Sequence, residues 1–393
     1  MMRIAYICAD AGVPVFGRKG SSIHVQEVIR AMVAQGATVE LFATRFGGDP
    51  PAGLANIVCH ALSAPPAGDT RQREQAAIAA NRALPAMLDA RAPFDLVYER
   101  YSLWSHAGIG WARAQGIAGL VEVNAPLIEE QATHRRLGDR AAAEASARTL
   151  FAAAHAIVAV SSGVAAYLEG FGVDRGKVRI LPNGVDASRF SGLASRSAGA
   201  VFTVGFIGTL KPWHGLGTLI EAVALARDTG CPVRLLIVGD GPERGAMEAM
   251  LDGAGLARDA ELTGAVDPAQ IPALLARMDA AVAPYPALPD FYFSPLKIME
   301  YMAAGTAIVA SRIGDINGLI EHGVTGLLCP PGDAIAVADA LVRLHAEPTT
   351  RARLGAAARA VSVRDLGWNH VAGEILALAG QVGARHERRV PTC

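Results

Sequence analysis

Short runs of β-branched and other apolar residues recur along the chain, separated by longer amphipathic stretches. This alternation predicts strands joined by helices, the pattern of α/β units on parallel sheets. In the first half the runs predict strands at 3–8, 38–43, 95–98, 119–123, 156–160 and 178–181. Between the first two, Ile23, Val28, Ile29 and Met32 space the apolar stripe of a helix from Ser22 to Gln35, which Gly36 ends. Small and polar residues then predict a linker at 188–200. Strands resume at 202–207, 233–238, 260–263, 280–283, 306–310 and 326–328. Two α/β series around a linker predict two doubly wound domains, 1–187 and 201–365. Ligands of such folds sit beyond the carboxyl ends of the strands, so two facing sheets would share one cleft.

Composition narrows the function. The chain has 393 residues, 51% hydrophobic and 19% charged, enough apolar surface for two cores. A net charge of −1 without a long basic block argues against nucleic acid as a partner. The densest basic patch, His134, Arg135, Arg136 and Arg140, suits a solvated helix face or a contact with an anionic acceptor or lipid surface, a weak peripheral membrane contact. Five cysteines, Cys8, Cys59, Cys231, Cys329 and Cys393, show no paired spacing and are expected to be free thiols. No signal peptide and no apolar stretch of roughly 18 residues is evident, so a cytoplasmic protein is expected.

The chemistry concentrates at strand ends. Ser294 is a good N-cap and Pro295 suits a first helical position, so a helix should start with Leu296 in its first turn and end at Gly305. Its free N–H groups suit diphosphate oxygens. Lys297 and Glu300 share one face of it, which fits either an i,i+3 surface ion pair or a phosphate contact and a ribose contact. Upstream, Gly208-Thr209-Leu210-Lys211-Pro212-Trp213-His214-Gly215 turns a strand into a helix beginning near Leu216. Val238-Gly239-Asp240-Gly241 makes another such turn, an imperfect match to a dinucleotide fingerprint because Gly245 falls one residue late. Near the N-terminus, Gly20 and Ser21 end the loop before the first helix, where Ser21, Ser22 and free N–H groups suit an anion. Further polar groups at strand ends are Glu99 and Arg100, then Glu122 and Asn124, followed by Glu129, Glu130 and Gln131. They suit an acceptor pocket, or a structural Glu99–Arg100 pair with helix-capping carboxylates.

These motifs, in this order, resemble family 4 of the retaining glycosyltransferases, which have the GT-B fold of two facing Rossmann-like domains. The resemblance rests on Leu181-Pro182-Asn183-Gly184-Val185-Asp186, the turn at 238–243, the helix at 295–305 and Gly323-Val324-Thr325-Gly326 with Pro331-Gly332-Asp333. It implies that Glu300 holds the nucleotide ribose and that Gly264 and Val266 read the base through backbone. It also implies that the stretch 366–383 is the helix crossing back to the first domain; the tail from Ala384 is expected to fray, as chain ends do. Four positions depart from the family pattern. Tyr292 stands where the family has a sugar-binding glutamate, with Asp290 a nearby substitute. Thr209 and His214 stand where it has a diphosphate-gripping Arg and Lys. Asn124 or Glu122 stands where it often has a histidine near the sugar.

Breaking a sugar–phosphate bond builds charge on the leaving diphosphate, so cations are still required. Lys211 and Lys297 are the replacements, aided by His214 if protonated. The expected reaction is transfer of a sugar from a nucleoside diphosphate sugar to an acceptor hydroxyl with retained configuration. It needs no carboxylate pair of glycosidase type, no cofactor and no essential metal. Two rival readings stand: a non-catalytic nucleotide-sugar-binding protein, and a nucleotide-sugar epimerase on the same fold.

Overall fold

A computed structural model describes residues 1–66, 68–192, 201–289 and 291–387. Asp290, most of the expected linker (193–200) and Cys393 lie outside the described residues. The chain divides into two units. One is Met1–Asn183 with Tyr292–Ser294 and the stretch from Trp368; the other is Gly184–Phe291 with Pro295–Gly367.

The first unit is built on seven strands: β1 (Arg3–Cys8), β2 (Thr38–Ala43), β3 (Val58–Ala61), β4 (Leu96–Arg100), β5 (Ala118–Val123), β6 (Ala156–Ala159) and β7 (Val178–Ile180). They are parallel, in the order β3-β2-β1-β4-β5-β6-β7. Both faces of the central strands are covered, which is why these strands are apolar runs rather than alternating sequences. Tyr6 and Cys8 point to the face packed by the Gly20–Ala34 and Trp368–Glu387 helices, Ile7 to the opposite core. Strand β3, unannounced in the sequence, is an edge strand whose Val58 is 49% exposed, so burial never made it an apolar run.

The second unit repeats the plan with β8 (Phe202–Ile207), β9 (Val233–Val238), β10 (Ala260–Leu262), β11 (Ala280–Ala283), β12 (Ala307–Ser311) and β13 (Leu327–Cys329). Their order is β10-β9-β8-β11-β12-β13, again parallel. Strand order reverses between β1 and β4 in one sheet and between β8 and β11 in the other. Carboxyl ends at such reversals are where doubly wound sheets bind ligands.

Three local expectations change. The first helix starts at Gly20 rather than Ser22, with Lys19 as an N-cap that makes no side-chain hydrogen bond. Residues 187–190, partly read as linker, form a 3-10 turn whose Phe190 is fully buried. Ser294 does not cap the Leu296–Ala304 helix: Pro295, at φ −83° and ψ 60°, is the N-cap, and its non-helical ψ moves the start one residue on. Among the described residues no helix is long and apolar enough to cross a membrane.

Candidate active site

At the switch point of the second sheet, backbone hydrogen bonds lace the strand ends together. The Gly208 N–H donates to the Val238 carbonyl (2.9 Å), the Leu210 N–H to that of Asp240 (3.0 Å) and the Gly239 N–H to that of Gly264 (3.0 Å). Gly239 has φ +139°, and a Cβ there would lie 2.0 Å from the Gly208 carbonyl oxygen. No other residue fits that approach. Gly241 lies against the Leu210 backbone, and Val266 is half-buried beyond Gly264. Lys211 begins the Pro212–His214 turn, its Nζ 5.5 Å from the Trp213 ring centre.

The Leu296–Ala304 helix is pinned to this cradle by the Ile207 N–H, which donates to the buried Tyr301 hydroxyl at 2.9 Å. One turn earlier, Lys297 brings its Nζ to 4.2 Å from the Phe206 ring centre and 5.2 Å from that of Tyr285. A Cβ on Gly208 would be 3.1 Å from this Nζ, so it sits over the β8 turn. The Lys297 residue is half-buried, but its Nζ is covered and has no hydrogen-bond partner. Burial pushes its pKa down to about 7. A cation in the first helical turn also opposes the helix dipole. Ring faces offer some compensation, yet among the described residues no carboxylate pairs with it. The arrangement suits an anion arriving from outside.

The i,i+3 pairing of Lys297 with Glu300 does not form. Glu300 faces Arg189 instead, at 3.7 Å, with 26% of its side chain exposed. Burial raises the Glu300 pKa and Arg189 opposes the rise. Arg189 also donates to the Pro268 carbonyl at 2.6 Å. Sequence reading missed Arg189 because it lies in the supposed linker; the neighbouring Phe190 was the signal that this stretch is anchored.

His214 cannot supply charge near neutral pH. Burial first, and Lys297 next, push its pKa down to about 4, and its Nδ1 donates to the Thr209 carbonyl at 2.6 Å. The neutral ring braces the turn while the Thr209 side chain stays exposed. Lys297 and Lys211 both act on His214, so the two lysines and the turn are gathered in one place.

In the first unit, Gly20 and Ser21 open the helix after β1, and a Gly20 Cβ would meet open space beyond its own helix turn. The register pairs Cys8 with Arg100 and Arg100 with Glu122. Glu122 Oε1 meets His24 Nε2 at 2.8 Å, and Arg100 lies 3.8 Å from Oε2. Burial alone would raise the Glu122 pKa, but His24 and then Arg100 bring it down to about 2. His24, which sequence reading did not assign, also meets Trp368 edge-on. Asn124 follows β5 with its Nδ2 covered, and it adds a smaller share to the lowering of the Glu122 pKa.

The structural Glu99–Arg100 pair is absent, because adjacent strand residues point to opposite faces. Glu99 instead accepts from the Ser105 hydroxyl on the far side, and burial pushes its pKa up to about 7. Tyr292 and Ser294 belong to this unit. The Tyr292 hydroxyl donates to Glu130 (2.7 Å), and its carbonyl accepts from Ser161 (2.7 Å). Ser294 Oγ is covered and unpartnered.

Parallel sheets of this order, with glycine turns and a lysine of covered Nζ at one switch point, define a protein of GT-B type, two Rossmann-like units. The chain belongs to glycosyltransferase family 4. The family described as "Glycosyl transferases group 1" matches residues 201–347, and "Glycosyltransferase Family 4" matches residues 18–189. A D-inositol 3-phosphate glycosyltransferase of Actinosynnema mirum is 31% identical over 391 residues, covering 92% of each chain. Among solved structures, a sucrose-phosphate synthase of Thermosynechococcus elongatus superposes with TM-score 0.76 at 22% identity, over 98% of this chain and 100% of that one. Anabaena HepE, solved with UDP and glucose, gives TM-score 0.68 at 20% identity, over 97% of this chain and 100% of its own. Both are likenesses of fold.

Proposed function

We propose that this glycosyltransferase takes its sugar from a nucleoside diphosphate sugar and delivers it to an acceptor hydroxyl with the anomeric configuration retained. The observation that carries the reading is Lys297: a covered amino group without a counter-charge among the described residues, beside turns that only glycine permits. The diphosphate lies against the Gly208 and Gly239 turns and the first-turn N–H groups at Leu296 and Lys297; Pro295 has none to give. Glu300 accepts from the ribose hydroxyls, and Gly264 and Val266 offer backbone to the base. Gly20, Ser21 and Asn124 serve the sugar.

In the reaction the bond from the anomeric carbon to the phosphate oxygen breaks and a bond to the acceptor oxygen forms on the same face. A phosphate oxygen of the leaving nucleotide takes the acceptor's proton. Lys297, with Lys211, meets the negative charge that grows on the diphosphate, so no metal is required for that task. The test mixes the protein with UDP-, GDP- or ADP-sugars and candidate acceptors under excess chelator, and reads the product anomer by NMR. Retained transfer supports the reading. Inverted product contradicts it, isomerised donor makes the protein an epimerase, and binding without turnover makes it a binder.

A further inference from the structure

The first unit contains a cavity of about 430 Å³, within the range of small-molecule sites. Arg73, Arg135, Arg136, Asp10, Glu130 and Trp104 are among the residues that line it. All three arginines are exposed, and none has an ion pair or a side-chain hydrogen bond among the described residues. Nearby Arg140, by contrast, is paired with Glu129 and Glu144 and does not line the cavity. The lining carboxylates are committed locally. Glu74 accepts from the N–H groups of Gly138 (2.8 Å) and Asp139 (3.0 Å), Asp10 from that of Gly12 (2.7 Å) and Glu130 from the Tyr292 hydroxyl. Asp10 and Glu130 each keep one oxygen that can accept from a hydroxyl group. The arginine-bearing loop is held in place, for Gln131 Nε2 donates to the Arg136 carbonyl at 2.9 Å.

The lining also contains a residue with a strained backbone. Trp104 has φ +78°, the one non-glycine residue with positive φ among those described. Asn81 clamps it there, donating to the Trp104 carbonyl (2.7 Å) and accepting from the N–H groups of His106 (2.9 Å) and Ala107 (3.0 Å). A bulky residue kept in that region marks a place where position matters more than local energy.

We propose that this cavity receives the acceptor, and that the acceptor is a polyhydroxy compound bearing a phosphate, its anion held by Arg73, Arg135 and Arg136. Only the word acceptor rests on the transferase reading; the anion site does not. Guanidinium forks match phosphate oxygens in pairs, and the free carboxylate oxygens match the hydroxyls.

The test is calorimetric titration of the full chain, without donor, by glucose 6-phosphate and by glucose. A Lys297→Met background removes the other anion site. Glucose 6-phosphate should bind at least tenfold more tightly than glucose, and Arg73→Ala or the double variant Arg135→Ala/Arg136→Ala should each remove that advantage. Arg140→Ala should leave it intact. Equal affinity for the two sugars, or an advantage untouched by the cavity arginines, overturns the proposal. Sedimentation with phosphatidylcholine vesicles, with and without phosphatidylglycerol, locates the phosphate. Retention on the anionic vesicles through the same arginines assigns it to a lipid headgroup, and binding in solution alone assigns it to a free compound. If phosphate binds through the arginines but no transfer is found with any donor, the anion site stands and the transferase reading falls.

Discussion

The two sheets gather buried ionisable groups at equivalent places and treat them in opposite ways. At the first, Glu122 faces His24 and Arg100, and the group's charge is answered from within the unit. At the second, Lys297 has aromatic faces and glycine backbone around it but, among the described residues, no carboxylate partner. A buried charge that is answered locally holds structure together; one left unanswered costs stability and is kept for a ligand that brings the missing charge. The same fold thus carries a brace at one switch point and an unfilled anion site at the other.

Removing one partner of the brace should have the largest effect. Glu122→Leu leaves His24 and Arg100 buried without their carboxylate and should cost about 3–5 kcal/mol in denaturant unfolding. The wild-type contribution has a defined pH window. The pKa of Glu122 is depressed in the folded protein to about 2, so its stabilisation is present above the ordinary carboxylate range and fades as pH falls toward 2. A Glu122→Leu protein with wild-type stability and an unchanged acid limb would erase the contrast between the two regions.

The opposite sign is expected at Lys297. Lys297→Met should slow transfer by about 10²–10³, the range for losing one preorganised group that meets transition-state charge. It should leave folding stability unchanged or higher, because an uncompensated buried cation has been exchanged for an apolar side chain. Normal turnover in this variant would remove Lys297 from the chemistry. Destabilisation similar to that of Glu122→Leu would make it a second brace.

A smaller effect belongs to Glu300. Its alanine variant should weaken nucleoside diphosphate binding by about 1–3 kcal/mol, the range for losing a charge-assisted hydrogen-bond partner. It also frees Arg189, 3.7 Å away, to meet phosphate. Glu300→Gln separates these effects, keeping the acceptor oxygen without the charge. Equal affinity in all three proteins by calorimetry would show that Glu300 serves only Arg189.

The fold was legible wherever burial on both faces forces an apolar run, as along β1, β4, β8 and β11. It was not legible at β3, where an exposed edge lets Val58, Cys59 and His60 stand in a strand. Local chemistry pointed to the right helix at 296–304 but placed its cap one residue early, since Pro295 takes a ψ that no residue list reveals. Spacing put Lys297 and Glu300 on one helix face, and only the family resemblance favoured a ligand role over a surface ion pair. Their surroundings were not legible, because Arg189, Phe206 and Tyr285 come from separate stretches and meet only once the sheet is formed. The His24–Glu122 contact, 98 residues apart in sequence, is of the same kind.

The central claim, that Lys297 waits for a diphosphate, has a direct signature in protons. With a pKa near 7 in the free protein, Lys297 is largely neutral at about pH 8 and must take up a proton when a diphosphate binds beside it. Titrating UDP, GDP and ADP at that pH, in two buffers of different ionisation enthalpy, measures the uptake. The account predicts uptake approaching about one proton per nucleotide bound and affinity that falls as pH rises from about 7 to 9, both lost in Lys297→Met. Tight binding with no proton uptake, the same in wild type and in Lys297→Met, would contradict it.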